Sequence, residues 1–152
     1  MIVFDEQEGV STGCLVIAGL SGGSGKSVAS VALTAALRRS RKVVVPFKKG
    51  PDYIDAGWMS TAAGRPCYNL DPYLMSEEVI ATSFQQQAAG ADFALVEGNR
   101  GLYDGVTAEG GFSTAELAVQ LDLREFPFDK QRLPIDVTSY QYSQAELVFS
   151  AD

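Results

Sequence analysis

The residues able to do chemistry are concentrated in one run, Gly22-Gly23-Ser24-Gly25-Lys26-Ser27, and in two charged stretches further along the chain. Glycines so placed let successive backbone N–H groups converge on one point. A helix starting directly behind them adds unpaired N–H donors and the positive end of its dipole. The ligand that suits such a loop is a phosphate chain, with Lys26 reaching the outer phosphates and the Ser27 hydroxyl ligating Mg²⁺. Downstream, Lys48-Lys49-Gly50-Pro51-Asp52-Tyr53-Ile54-Asp55 puts two lysines and two carboxylates on one short turn. Asp52 reads as a magnesium ligand, direct or through water, and Asp55 as a group that orients a substrate or its nucleophile. Glu97 heads the second stretch, which runs on through Asp104, and Gly98, Gly101 and Gly105 let the backbone there approach a ligand closely.

The elements that must position these groups follow from the hydrophobic pattern. Cys14-Leu15-Val16-Ile17 reads as a buried strand before the loop, and Val28 to Arg39 as a helix after it, with Val28, Val31, Ala32, Ala35 and Leu37 as its apolar stripe. Lys42 to Phe47 reads as a second parallel strand completing a βαβ unit, which leaves the Lys48–Asp55 turn at the carboxyl edge where open α/β sheets bind ligands. Trp58 to Pro72 reads as irregular or as short helices. Ser76, with Glu77 and Glu78 in the first turn, caps a helix that turns Val79, Ile80, Phe84 and Ala88 inward and ends at Gly90. Phe93-Ala94-Leu95-Val96 reads as a third strand with Glu97 at its tip. Ser113-Thr114-Ala115-Glu116 is a capping box opening a helix of Leu117, Ala118 and Leu121, and another parallel strand is expected after it. The loop departs from GxxxxGK[ST] at one point, because Leu20 stands five before Gly25 and Gly19 falls one residue early.

Composition narrows the function classes. A chain of 152 residues fits one domain, and a net charge of −7 argues against a nucleic-acid surface, so an acidic ligand must be met by local cations such as Lys26, Lys48, Lys49, Arg65 and Arg100. The sequence contains no histidine, which excludes Ser-His-Asp and Cys-His nucleophile pairs. Cys14 and Cys67 are too few for a disulfide framework or a zinc site. An acidic beginning and the lack of an apolar run of about 18 residues lead to the expectation of a cytoplasmic chain without a membrane span.

Five ordered segments together resemble cobyrinate a,c-diamide synthase, from about Gly13 to about Leu121. They are Ser24-Gly25-Lys26-Ser27; Pro46 through Gly57; Gly64-Arg65-Pro66 with Asn69-Leu70-Asp71; Val96-Glu97-Gly98 through Leu102-Tyr103-Asp104-Gly105; and Ser113 through Leu117. The related dethiobiotin synthetases share the spacing of Gly19 to Gly25. The resemblance implies a P-loop NTPase-type parallel sheet with flanking helices, here truncated. It also implies an ATP-dependent amidoligase of corrinoid biosynthesis, in which Mg-ATP phosphorylates a peripheral carboxylate and ammonia displaces the phosphate. By that likeness Gly22, Gly23, Ser24, Gly25, Lys26 and Ser27 cradle ATP, and Ser27, Asp52 and Glu97 hold Mg²⁺. Lys48 neutralises the transferring phosphoryl group, and Tyr53, Asp55 and Asp104 serve corrinoid binding and turnover. Nitrogen would come from ammonia or from a separate glutaminase, since the glutaminase domain expected of the family does not follow. The alternatives are a nucleotide-binding module and an inactive chimeric fragment.

The pattern changes near Gln120 to Leu123, which divides the chain into a leader (1–12), the ATP-binding domain (13–121) and an unrelated β-rich tail (122–152). In the tail, Phe126-Pro127-Phe128-Asp129 with Gln131, then Ser139-Tyr140 with Tyr142 and Glu146-Leu147, resembles a fragment of the extracellular domain of pentameric ligand-gated ion channels. It reads as two strands, with a junction or truncation before it, and as an element through which copies of the chain could form a homo-oligomer. The tail has no pore helix.

Overall fold

A computed structural model describes residues 12–121. The leader up to residue 11, the expected strand after Leu121 and the channel-like tail lie outside the described residues. In chain order the elements are β1 (Gly13–Gly19), α1 (Lys26–Arg39), β2 (Val44–Lys49), α2 (Ile54–Ala63), β3 (Tyr68–Leu70), α3 (Glu77–Ala88), β4 (Phe93–Gly101) and α4 (Thr114–Gln120). The strands form one parallel sheet in the order β1-β4-β2-β3.

That order departs from a simple βαβ unit. β1 and β2 are not hydrogen-bonded to each other, because β4 inserts between them and pairs with both. The strand expected to stop at Val96 runs on to Gly101, so Glu97 lies within β4 and not at its tip, between the end of β1, where the glycine loop begins, and the end of β2. The register is explicit: Glu97 stands opposite both Ile17 and Lys48.

Both faces of the sheet are covered. On one, Leu15, Ile17, Val44 and Leu95 pack with Met59 of α2 and with Val31, Leu33 and Leu37 of α1. On the other, Val16, Val45, Phe47, Leu70, Ala94 and Val96 pack with Ile80 and Ala88 of α3 and Leu117 of α4. Phe47 anchors that second face, its ring 5.9 Å from Tyr68 and 4.9 Å from Phe84. Apolar side chains on both sides of β1, β2 and β4 are what a parallel sheet requires.

Four sequence expectations change here. α1 is rotated relative to its apolar stripe, so that Val28 and Ala32 face outward while Ser30 and Thr34 are fully buried. Residues 30, 34 and 37 form a competing helical stripe, and its small side chains fit the packed face where larger ones would be crowded. β2 runs on through Lys48 and Lys49, which are buried strand residues, 2% and 5% exposed, and not part of a solvated turn. Trp58 to Pro72 takes the short-helix alternative in its first part, as most of α2 closed by Gly64 in the left-handed conformation at φ 70°, and then forms β3, a strand that the sequence did not suggest. Val79 is half exposed, leaving Ile80, Phe84 and Ala88 as the inward face of α3.

The capping box at α4 forms as expected: Ser113 Oγ accepts from Glu116 N, and the Glu116 carboxylate accepts from Ser113 N. Replacing the cap by Ser113→Ala is expected to lower stability by about 1 kcal/mol, and Ser113→Thr to retain most of it, measured as the shift in urea unfolding free energy.

Candidate functional site

At the carboxyl edge of the sheet, four side chains from four elements close into a ring. Lys48 Nζ donates to Glu97 Oε1 at 2.8 Å and to Asp55 Oδ2 at 3.1 Å. The Ser27 hydroxyl lies 2.8 Å from the same Glu97 oxygen and 3.0 Å from the same Asp55 oxygen. A hydroxyl has one hydrogen, so it donates to one carboxylate at a time. The third proton of the Lys48 ammonium goes to the Gly98 carbonyl at 3.2 Å, which satisfies all three donors.

Each member is placed by its own element. Ser27 sits in the first turn of α1, Lys48 near the end of β2, Asp55 in the first turn of α2, and Glu97 opposite Lys48 in β4. Glu97 is completely buried, and its second oxygen, Oε2, has no hydrogen-bond partner among the described residues. An ionised carboxylate out of water with an open acceptor is costly unless cations approach it. Lys48 supplies one positive charge against the two negative charges of Asp55 and Glu97, so the ring retains a place for further positive charge. Ser27, Asp55 and Glu97 are hard oxygen donors, the set that magnesium prefers.

Burial by itself depresses the Lys48 ammonium's pKa, but the hydrogen bonds and charges of Glu97 and Asp55 outweigh it and hold the value above its ordinary 10.5. Burial likewise pushes the Asp55 carboxyl up, while hydrogen bonds from Lys48 and Ser27 and the charge of Lys48 bring it below its ordinary 3.8. For Asp55, the depressed folded value means that its stabilisation is complete above about pH 3.8 and is lost as the pH falls through the lower folded value. For Lys48, the raised value means that stabilisation is complete below 10.5 and is lost as the pH rises through the higher folded value.

The glycine loop begins where β1 ends. Gly23 and Gly25 adopt left-handed conformations, φ 71° and 83°, and a Cβ at Gly22, Gly23 or Gly25 would meet nothing within 4 Å, so the interior of the loop is open. Lys26 curls over it, donating to the Ser21 carbonyl at 3.0 Å and to Ser24 Oγ at 3.3 Å. The early glycine has a steric reason. A Cβ on Gly19 would lie 2.0 Å from Ser24 Oγ, whereas Leu20, standing where the usual pattern has glycine, is 93% exposed and free to carry a side chain.

The other expected site residues lie around the ring and not in it. Asp52 Oδ1 accepts from Ile54 N at 2.9 Å and Asp55 N at 3.2 Å, which caps the first turn of α2 and fixes Asp55. Tyr53 is 81% exposed. Asp104 Oδ2 accepts from Gly101 N at 2.8 Å and shapes the loop after β4. No hydrogen bond or ion pair joins Asp52, Tyr53 or Asp104 to Ser27, Lys48 or Glu97 among the described residues. Sequence reading gave no role of their own to Asn69 and to the Gly98 carbonyl. Asn69 Nδ2 donates to the Gly50 and Asp52 carbonyls at 2.7 and 3.0 Å and clamps the turn between Lys49 and α2. An asparagine next to a buried strand residue was its signal; the carbonyl has none.

The family model of the CobQ/CobB/MinD/ParA nucleotide-binding domain matches residues 15–94, from the core of β1 into β4. The chain belongs to this family. Among curated relatives, it is 55% identical over 98 residues to the cobyrinate a,c-diamide synthase of Magnetococcus marinus, covering 64% of this chain and 21% of the relative. The synthase of the same name from Syntrophotalea carbinolica is 49% identical over 109 residues, with 71% and 24% covered. The hydrogenobyrinate a,c-diamide synthase of Streptomyces coelicolor is 44% identical over 135 residues, with 88% and 26% covered. The chain therefore spans about a quarter of the length of these relatives. Family membership establishes a nucleotide-binding domain on the α/β scaffold described above. No helix among the described residues is long and apolar enough to cross a membrane.

Two outcomes check this geometry. The melting-temperature difference between the chain and Asp55→Asn should stay constant from about pH 5 to pH 9 and shrink below pH 3.8, as followed by circular dichroism. Gly19→Ala should destabilise by about 1–3 kcal/mol in urea unfolding, and most of that loss should disappear in a Ser24→Gly background.

Proposed function

We propose that this chain is the ATP-binding amidoligase domain of a corrinoid a,c-diamide synthase. It would activate the a and c carboxylates of cobyrinate, or of a closely similar polycarboxylate, with ATP for amidation. The observation that carries the reading is the Ser27–Lys48–Asp55–Glu97 ring beside an open glycine loop. The names of the relatives support the choice of substrate.

The phosphates of ATP would lie in the loop from Gly22 to Ser27, on backbone N–H groups and the N-terminus of α1, with Lys26 leaving its loop contacts for the outer phosphates. Ser27, Asp55 and Glu97 would hold Mg²⁺, consistent with the unpartnered Glu97 oxygen, and Asp52 would take part from the α2 cap. Bound there, the ion supplies positive charge to the phosphate oxygens. Lys48 would face the transferring phosphoryl group, whose charge is spread over its equatorial oxygens. Tyr53, Asp55 and Asp104 would receive the acceptor.

In the first step an oxygen of the acceptor carboxylate attacks the γ-phosphorus, the bond to ADP breaks, and an acyl phosphate forms. In the second, ammonia adds to the acyl carbon, phosphate departs with the C–O bond, and the new nitrogen loses a proton to leave the amide. Ammonia, free or released from glutamine, would supply the nitrogen.

The test is calorimetry of Mg-ATP on the purified chain beside Lys26→Ala, then ADP release after adding cobyrinate and ammonia. Binding weakened at least tenfold by the substitution, with ADP release dependent on cobyrinate, is the expected result. Lys26-sensitive binding without any cobyrinate-dependent turnover would reduce the chain to a nucleotide module.

A further inference from the structure

The ring accounts for one of the two lysines that end β2. Lys49 has a different environment. It follows Phe47 in the alternation of the strand and so belongs to the face covered by α3 and α4, while Lys48 belongs to the face of α1 and α2. It is 5% exposed, yet no hydrogen bond and no ion pair within 4 Å holds its ammonium among the described residues. The side chain is buried while its Nζ keeps some access to solvent, so the ammonium is partly desolvated, has no partner of its own among the described residues and is open to an incoming anion. Burial lowers its pKa, the charges of Asp71 and Glu116 work in the opposite direction, and those of Arg100 and Lys48 lower it further.

The two neighbouring carboxylates already have other work. Asp71 Oδ1 accepts from Tyr73 N at 2.9 Å, which builds the turn after β3. Glu116 Oε2 accepts from Phe112 N and from Ser113 N, which builds the cap of α4. The two loops thus formed meet through an edge-on contact of Tyr73 and Phe112, ring centroids 5.6 Å apart. Arg100, exposed and in a left-handed conformation at φ 51°, is the last residue but one of β4, and its charge acts on Lys49. Two cations, one on a buried side chain and one exposed, thus act on each other at the carboxyl edge of the sheet.

We infer that Lys49 and Arg100 form an anion subsite for a carboxylate of the acceptor other than the one being activated. The inference rests on the amidoligase reading and deepens it. ATP phosphates are served by the loop, Lys26 and Lys48 on the α1/α2 face, so an anion on the α3/α4 face comes from the second ligand. A polycarboxylate is the class of acceptor that can present one carboxylate for reaction and another for anchoring. Anchoring a remote group fixes the orientation of the reacting one and selects against acceptors that bear a single carboxylate.

The experiment measures cobyrinate and Mg-ATP binding to the full chain by calorimetry for Lys49→Met, Lys49→Arg and Arg100→Asn, the last chosen because asparagine tolerates a left-handed backbone. Lys49→Met should weaken cobyrinate binding about tenfold or more and leave Mg-ATP within twofold, Lys49→Arg should recover most of the loss, and Arg100→Asn should weaken cobyrinate several-fold. Unchanged cobyrinate affinity in Lys49→Met, in a chain that binds cobyrinate, overturns the subsite and leaves the amidoligase reading standing. An equal loss for both ligands, accompanied by a lower melting temperature, also overturns it, because Lys49 then acts on the fold. A wild-type chain that binds Mg-ATP but not cobyrinate overturns the acceptor reading and the subsite together.

Discussion

Everything at the carboxyl edge of this sheet depends on a carboxylate with no access to water. Glu97 sits in the middle of the strand between β1 and β2, completely buried, and the free energy of keeping its charge there has to be recovered locally. Lys48 and Ser27 converge on a single oxygen of it, and Asp55 is brought in by the same two groups. A buried ion pair is weak evidence of stabilisation, because apolar residues of the same volume often serve stability equally well. The arrangement is better understood as charge held ready at a fixed place. That place lies beside α1, whose N-terminus carries the glycine loop.

The ring is precise because backbones, not long side chains, set the spacing around it. Gly98 packs so closely on Thr114 that a Cβ would come within 2.6 Å of its methyl group, and a Cβ on Gly101 would lie 2.7 Å from the Leu20 carbonyl. Leu102 N donates to the Gly19 carbonyl at 2.7 Å, and the Leu102 carbonyl accepts from Ala115 N at 3.0 Å. The start of the glycine loop, the end of β4 and the first turn of α4 are therefore one hydrogen-bonded unit. A shift at the loop would have to be shared by the segment that carries Asp104.

Local chemistry was legible in the sequence, and assembly was not. Gly25-Lys26-Ser27 ahead of a helix, the caps at Ser76 and Ser113, and the cores of β1 and β4 all depend on neighbours in the chain, and each appears where its pattern puts it. The end of β2 was hidden because two lysines after an apolar run look like the start of a turn, and only the carboxylates brought by β4 and α2 make burial of Lys48 tolerable. α1 was misphased because Val28, Ala32 and Ala35 form as regular a stripe as Ser30, Thr34 and Leu37. Hydrophobicity favours the first, while close packing favours the second. The insertion of β4 between β1 and β2 has no local signature, although it is what brings Glu97 to Lys48 and Ser27.

Fold and family membership do not choose among the activities that such a scaffold supports, so the choice rests on the charges at its edge. Binding a nucleotide requires the loop, its lysine and an oxygen set for the metal. Asp55 and Lys48 add to these, since with Ser27 and Glu97 they form one connected set of charges and hydroxyl at the edge of the sheet. If a divalent cation takes the carboxylate oxygens, the Lys48 ammonium is freed toward whatever negative charge stands at the end of the loop. The same low-dielectric surroundings that make the ring costly to build would then strengthen its attraction for an anion held there.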